Sequence, residues 1–185
     1  MLDSIDLLVL DVDGVLTDGR IVYGPRGGEI KRFSVRDGQG VKYWLRAGHQ
    51  AAIVSGRASA AVRRRAEEIG IQAVYEDAKD KLPVFEKVLK RFRRTPERVC
   101  YVGDDLPDLP VMARVGFAVA PADAVAEVRR AAHYVAEHQG GAGAVRETVE
   151  LILKYQGRWA DVCRRYDQRL PPDLSPARNP WRTRP

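Results

Sequence analysis

The sequence has little of what marks secreted, membrane-spanning or disulfide-stabilised proteins. Its 185 residues include two cysteines, too few for a disulfide framework or a cysteine-ligated metal cluster. No apolar run approaches the ~20 residues needed to cross a bilayer, and the first residues lack the basic-then-apolar pattern of a secretory signal. We therefore expect a cytoplasmic protein with no membrane partner.

Basic residues outnumber acidic ones, yet the sequence also lacks the patterns of a nucleic-acid-binding protein. Lysine and arginine total 31 against 25 aspartates and glutamates, a net charge of +6. No aromatic-rich basic strand or recognition helix accompanies this excess, which falls largely on predicted helices and on the C-terminal tail. We interpret it as solvated helix surface and predict no nucleic-acid partner.

Short apolar runs that alternate with amphipathic segments predict an α/β fold. Residues 7–10, 51–54 and 99–102 are apolar without polar alternation, which is typical of strands buried on both faces of a parallel sheet. Helical patterns lie between them, and βα repetition implies a doubly wound parallel sheet with helices on both sides. We expect one domain over residues 1–156, followed over residues 157–185 by a helical extension and an Arg- and Pro-rich tail.

A small β-hairpin is predicted over about residues 20–34. Segments 20–23 and 30–34 alternate β-branched or aromatic residues with polar ones, on either side of a Gly- and Pro-rich turn. Because the hairpin comes directly after the first predicted strand, we expect it to form a flap beside any site at the end of that strand.

Polar side chains follow three of the predicted strands. Asp11 and Asp13 follow the first and point to the same side of an extended backbone, since side-chain direction repeats every second residue. Ser55 follows the second strand, and Asp104 and Asp105 follow the third. Open α/β sheets bind ligands at the carboxyl ends of their strands, and carboxylate oxygens suit a hard cation. A catalytic metal site is therefore predicted at this edge.

With Lys81 at the start of a helix, this ordered set resembles the haloacid dehalogenase superfamily of phosphohydrolases. Its four motifs match Asp11-Val12-Asp13-Gly14-Val15, Ser55, Lys81 and Gly103-Asp104-Asp105. The resemblance implies that Asp11 is a nucleophile that forms an aspartyl-phosphate and that Asp13 is the general acid and base. It implies that Ser55 and Lys81 hold the phosphoryl group. It also implies Mg²⁺, bound by the carboxylates of Asp11 and Asp104 and the backbone carbonyl of Asp13.

Two further aspartates lie close to the implied metal ligands in the sequence. By the resemblance, Asp105 would sit behind the ligands and position them or Lys81. Asp108 has two readings that the sequence leaves open. It would either share this positioning role or cap the helix that follows Pro107.

Longer segments narrow the resemblance to the 3-deoxy-D-manno-octulosonate 8-phosphate phosphatase family. They are the hairpin and residues 33–40, 55–57, 103–112 and 140–147. The resemblance implies release of a free eight-carbon keto acid for lipopolysaccharide core biosynthesis, on a core without a large cap domain. It also implies a homotetramer in which a neighbour's hairpin and Gly-rich segment, here Gly140–Arg146, close each site as a lid.

Several residues are candidates for substrate binding under this resemblance. Arg57 would pair with the substrate carboxylate through two parallel hydrogen bonds, or be an exposed arginine in the first turn of a helix. Asp37 would hold substrate hydroxyls or cap the helix after it. The remaining candidates are Gly56, Gly140, Gly141 and Arg146.

Two other functions are compatible with parts of the pattern. The substrate could be a nine-carbon keto acid 9-phosphate or another sugar phosphate, and Glu76 and Asp77 would repel an anionic substrate unless they point away. A receiver-like signalling module also combines an acidic Mg²⁺ pocket, a phosphorylated Asp and a Lys. Its order differs, because here Asp11 follows the first strand and Lys81 precedes the second acidic cluster.

Overall fold

The computed structural model describes residues 2–25 and 28–166. The strands are β1 (Leu7–Leu10), β2 (Val22–Tyr23), β3 (Glu29–Ile30), β4 (Gln50–Val54), β5 (Ala73–Tyr75), β6 (Val99–Val102), β7 (Phe117–Ala120) and β8 (Tyr134–Val135). The helices are α1 (Val35–Arg46), α2 (Ala60–Ile69), α3 (Lys81–Phe92), α4 (Leu109–Met112), α5 (Ala126–Ala131), α6 (Ala144–Tyr155) and α7 (Trp159–Arg164). Short 3₁₀ turns cover Leu2–Ser4, Pro96–Arg98 and Leu106–Asp108. None of the helices in the described ranges has the length and apolarity to cross a membrane.

Six strands form a parallel sheet in the order β5-β4-β1-β6-β7-β8. β1 lies inside the sheet, with Leu10 paired to Ile53 of β4 and Val102 of β6. All four of its residues are fully buried, as an uninterrupted apolar run requires. The predicted α/β doubly wound sheet is confirmed, and the carboxyl ends of β1, β4 and β6 meet at one edge.

Helices cover both faces of the sheet, and β1 divides its side chains between them. Leu8 and Leu10 face a cluster that contains Trp44 of α1. Leu7 and Val9 face a second cluster that contains Phe85 of α3. Because apolar side chains pack closely on both faces, the carboxyl ends of the strands are held in fixed positions, and so are the polar groups that follow them.

The predicted hairpin exists, but its paired strands are shorter than the alternation suggested. β2 and β3 contain two residues each, with Val22 opposite Ile30. The second predicted segment, residues 30–34, is mostly not strand: Lys31 turns toward Asp13, and Ser34 caps α1 by accepting the N–H of Asp37. A contact with the aspartate loop and a local helix cap therefore override the β pattern of this segment.

The predicted helical extension begins as α7, which packs back on the domain. The Trp159 ring meets the Tyr43 ring edge-on, with centroids 5.7 Å apart. Tyr166 contacts the same Tyr43 ring at 5.8 Å. The rest of the predicted tail, residues 167–185, lies outside the described residues.

Candidate active site

The turn after β1 brings the first two aspartates to the sheet edge. Asp11 is 6% exposed, and its N–H donates to the carbonyl of Val102 on β6. Gly14 has φ +87°, and a Cβ there would lie 2.0 Å from Oδ2 of Asp104. A glycine is therefore required, because only its bare Cα lets the Asp104 carboxylate approach the loop.

Three carboxylates converge at this edge. Asp11, Asp104 and Asp108 each offer an oxygen, and the three oxygens lie within 4.8 Å of one another. Such a set of buried or half-buried oxygens fits a hard divalent cation such as Mg²⁺. The predicted pairing of Asp11 with Asp104 is therefore present, and Asp108 joins it.

Burial and mutual repulsion disfavour the ionised forms of two carboxyls in this cluster. Burial raises the pKa of Asp11 to about 6, with Lys81 opposing the rise and Asp108 adding to it. Burial and the charges of Asp11 and Asp108 raise the pKa of Asp104 to about 8. A bound divalent cation would favour the ionised forms of these carboxyls.

Lys81 lies inside the cluster at the first position of α3. The helix begins there because Asp80 accepts the N–H of Leu82. The Lys81 ammonium is 2.8 Å from Oδ1 of Asp11 and 2.6 Å from Oδ1 of Asp108. Burial works against its charge, but the two carboxylates prevail and raise the pKa of Lys81 above its ordinary value.

Asp108 is fully buried and positions Lys81. Its Oδ1 accepts hydrogen bonds from Lys81 and from the hydroxyl of Tyr101, each at 2.6 Å. Its Oδ2 accepts the N–H groups of Asp104 at 3.0 Å and Asp105 at 3.3 Å. Of the two readings of Asp108, the positioning role fits these contacts. Capping of α4 does not, since the side chain bonds upstream groups instead.

The expectation for Asp105 needs correction. Its side chain is exposed and accepts the N–H of Leu106, so it caps the 3₁₀ turn. Among the described contacts, Asp108 rather than Asp105 reaches Lys81. The direction of a side chain in such a turn depends on which residue finds a buried partner, which adjacent positions in a sequence do not reveal.

Tyr101 is a site residue that the sequence analysis missed. It lies on β6, is fully buried, and donates its hydroxyl to Asp108. Buried tyrosine hydroxyls normally need a polar partner. A tyrosine inside an otherwise apolar strand, two residues before the Gly-Asp-Asp motif, is the signal that could have identified it.

Replacing Tyr101 by Phe removes one bond to Asp108 and loosens the position of Lys81. We expect kcat for a small phosphate ester to fall about three- to tenfold with little change in KM, because one buried hydrogen bond is worth about 1 kcal/mol. Steady-state kinetics on Tyr101→Phe and on the matched Tyr155→Phe, at the far end of α6, test this. Equal kcat values in the two variants would contradict the positioning role.

Ser55 and Gly56 lie where the sequence predicts, at the end of β4. Since β4 pairs with β1, Ser55 comes to the same sheet edge as Asp11. Ser55 is 2% exposed, and its hydroxyl oxygen accepts the N–H of Arg57 at 3.3 Å. The Ser55-Gly56-Arg57 turn thus places a hydroxyl at the sheet edge that holds Asp11 and a guanidinium beside Asp13.

Glu76 and Asp77, the two acidic residues before α3 that would repel an anionic substrate, have different surroundings. Glu76 accepts the N–H of Ser59 at 2.7 Å and pairs with Arg63 at 2.5 Å. Its carboxylate therefore serves the start of α2 and is locally neutralised. Asp77 is exposed, with φ +55°.

The hairpin folds over the aspartate loop as a flap. Lys31, with a side chain only 1% exposed, contacts Asp13. Glu29 accepts a 2.9 Å hydrogen bond from Arg57. The predicted flap position is present, and it adds Lys31 and Glu29, which the sequence analysis did not single out.

The Gly-rich segment packs differently from the predicted lid. The Gly140 N–H donates to Asp123 at 2.9 Å, and the Gly141 N–H donates to the carbonyl of Val15 at 2.9 Å. A Cβ on Gly140 would lie 1.8 Å from the carbonyl oxygen of Gly14. The segment therefore braces the chain's own aspartate loop rather than extending as a lid toward a neighbour.

Two other substrate-binding candidates are also engaged elsewhere. Asp37 is 1% exposed, and its carboxylate accepts the N–H groups of Gly143 at 3.1 Å and Arg146 at 2.8 Å. It caps α6, not the helix it belongs to, and its oxygens are not available to substrate hydroxyls. The Arg146 guanidinium pairs with Glu150 at 2.6 Å and lies 4.7 Å from the Tyr43 ring centroid, so it is directed into the α1–α7 contact.

Replacing Gly140 by Ala tests the brace. The added Cβ overlaps the Gly14 backbone, so we expect a stability loss of about 1–3 kcal/mol and a several-degree fall in Tm, with reduced activity. Gly28→Ala is the control, because no described atom lies within 4 Å of a Cβ at Gly28. Thermal melts of both variants measure the effect, and an unchanged Tm for Gly140→Ala would contradict the packing.

Known proteins are similar to this chain in sequence and in fold. A model of the haloacid dehalogenase-like hydrolases matches residues 29–116, the class that the sheet and its acid–lysine cluster define. The 3-deoxy-D-manno-octulosonate 8-phosphate phosphatase of Escherichia coli K12 is 46% identical over 156 residues, covering 84% of this chain and 83% of the relative.

Two crystal structures extend the comparison. A probable YrbI-family phosphatase from Pseudomonas syringae is 47% identical with a TM-score of 0.87, covering 89% of this chain and 94% of that one. The 3-deoxy-D-manno-octulosonate 8-phosphate phosphatase of Moraxella catarrhalis, in complex with magnesium ion, phosphate ion and KDO, is 37% identical with a TM-score of 0.87, covering 90% and 95%. This chain belongs to the 3-deoxy-D-manno-octulosonate 8-phosphate phosphatase family of haloacid dehalogenase-like hydrolases.

Proposed function

We propose that this chain is a Mg²⁺-dependent phosphomonoesterase that hydrolyses 3-deoxy-D-manno-octulosonate 8-phosphate to the free sugar acid and phosphate, in lipopolysaccharide core biosynthesis. The observation that carries the chemistry is Lys81 between Asp11 and Asp108, beside Asp104. The choice of sugar is supported by relatives of that name at 46% identity and by the Moraxella complex with magnesium, phosphate and KDO.

Asp11 is the proposed nucleophile. One of its oxygens is held by Lys81, which favours the ionised carboxylate and fixes its direction. Attack on phosphorus forms an aspartyl-phosphate and releases the sugar alkoxide. Water then attacks the phosphorus and regenerates Asp11, while the Ser55 hydroxyl donates to a phosphoryl oxygen.

Asp13 is the proposed general acid and base. Its carboxylate is 24% exposed beside the flap, so it is accessible from solvent. Asp13 enters the first step as the protonated acid and gives its proton to the departing sugar oxygen; the resulting carboxylate then accepts a proton from the attacking water.

Asp11 and Asp104 are the proposed side-chain ligands of Mg²⁺, with the Asp13 carbonyl as a third. The oxygens of Asp108 already accept hydrogen bonds from Lys81, Tyr101 and two backbone N–H groups, so Asp108 holds the site in place. When bound, the cation would neutralise charge on the phosphoryl oxygens.

We further propose a cytoplasmic homotetramer. Hydrophobic side chains on and beside the hairpin strands are exposed in the single chain: Ile21 (47%), Val22 (43%), Tyr23 (70%) and Ile30 (49%). Exposed apolar side chains concentrated on one hairpin favour burial against another subunit. A neighbour's hairpin is therefore the part proposed to help complete each site, since the Gly140 segment is engaged within its own chain.

Phosphate release in Mg²⁺ from a substrate panel tests the proposed function. The panel contains the eight- and nine-carbon keto acid phosphates, hexose phosphates and p-nitrophenyl phosphate. We expect the eight-carbon ester to be preferred, and Asp11→Asn to lose about a thousandfold or more in kcat because the nucleophile is gone. Asp105→Asn is the matched control. Preference for the nine-carbon ester would change the assigned substrate. Absence of turnover for every ester would refute the assignment of this chain as a phosphatase.

Thermal stability should depend jointly on pH and Mg²⁺. Because the folded pKa values of Asp11 and Asp104 are raised to about 6 and about 8, the folded protein binds more protons than the unfolded chain above pH ~4, and metal-free stability falls as pH rises toward 8. We expect the Mg²⁺-induced rise in Tm to be larger at pH 8 than at pH 5. Melts with and without Mg²⁺ measure it, with Asp104→Asn losing the effect. A rise in Tm that is independent of pH would contradict this account.

A further inference from the structure

Four charged side chains link the flap to the site, and we call them the flap latch. Lys31 contacts Asp13 and lies 3.4 Å from Oε1 of Glu29. The Arg57 guanidinium donates to the same Glu29 oxygen at 2.9 Å, and its Nε lies 3.8 Å from Oδ2 of Asp13. Two cations and two carboxylates thus alternate in one network.

The two carboxylates of the latch differ in what they can do. Asp13 lies on the catalytic loop and has a proposed part in proton transfer. Glu29 comes from the flap, is 15% exposed, and bridges the two cations. It occupies a place between Lys31 and Arg57 that fits one carboxylate group.

Lys31 and Arg57 together favour an anion at the place of Glu29. The Lys31 side chain is 1% exposed, and an ammonium so buried is costly unless it is paired. Burial works to raise the pKa of the Glu29 carboxyl, but hydrogen bonds from Arg57 and Lys31 prevail and lower it, so Glu29 stays ionised at neutral pH. A neutral group in the place of Glu29 would leave two cations facing the single carboxylate of Asp13, whereas a group with its own negative charge would keep the balance.

We propose that Glu29 is an internal competitor that occupies the substrate-carboxylate position on Lys31 and Arg57 until the sugar acid displaces it. This inference rests on the proposed function, which supplies a substrate with a carboxylate. The exchange replaces one carboxylate by another, so the charge balance around the buried ammonium is kept. A neutral sugar phosphate has no group to make the exchange and leaves Glu29 on the cations, which makes the latch a specificity device.

Binding of the free sugar acid, 3-deoxy-D-manno-octulosonate, tests this directly. Titration calorimetry in Mg²⁺ compares the wild type, Glu29→Gln and the matched surface variant Glu86→Gln, whose carboxylate pairs with Arg114. The methyl ester of the sugar acid is the neutral probe. We expect Glu29→Gln to bind the acid about tenfold more tightly, since a competing charge-assisted bond is removed, with less than about twofold change for the ester. Glu86→Gln should match the wild type.

Arg57→Gln is a second variant that separates a change in acid binding from a change in folding stability. Arg57 is 45% exposed, so its replacement should leave Tm unchanged while weakening acid binding about tenfold. In the double variant, the gain from Glu29→Gln should shrink markedly. If Glu29 only holds the flap in place, Glu29→Gln would instead loosen the flap and weaken the binding of the acid and of the ester to the same extent.

The possible outcomes separate this inference from the proposed function. If the wild type hydrolyses the eight-carbon ester but Glu29→Gln binds the acid no more tightly, the competitor role is refuted and the enzyme assignment stands. Equal tightening for acid and ester also refutes it, because the charge of the carboxylate would then be irrelevant. If the wild type neither hydrolyses the ester nor binds the acid, both proposals fail.

Discussion

The ion pair of Lys81 with Asp11 and Asp108 is the interaction on which the rest of the site depends. An ammonium at this depth is tolerated only because two carboxylates flank it, and those carboxylates are tolerated only because Lys81 and backbone N–H groups satisfy them. The surrounding residues serve this arrangement. Tyr101 adds a fourth bond to Asp108, and the absence of a side chain at Gly14 admits Asp104.

The sequence predicts well what depends on strand periodicity and sheet topology. Asp11, Ser55 and Asp104 lie at one edge because each follows an apolar run, and the carboxyl ends of parallel strands meet. Lys81 follows from helix-start spacing and family resemblance. For Asp11, Ser55 and Asp104, the position at the end of a parallel strand is enough to predict which residues lie nearby.

The sequence predicts poorly those side chains whose direction depends on partners far along the chain. Asp37 has the spacing of a local helix cap, yet it binds the start of α6, more than 100 residues away. Arg146 turns to an aromatic ring on α1, and Asp108 instead of Asp105 reaches Lys81. Competing hydrogen-bond partners decide each case, and they become neighbours only after the chain has folded.

Charge balance divides the site into two parts with different needs. In the inner cluster three carboxylates, when all are ionised, face one ammonium, which leaves two negative charges that a divalent cation can match. In the flap latch two carboxylates face two cations, so the latch is balanced while Asp13 is ionised. Adding an anion there requires that another leave, whereas the inner cluster gains from an added cation. A substrate with phosphate at one end and carboxylate at the other would meet both conditions at once.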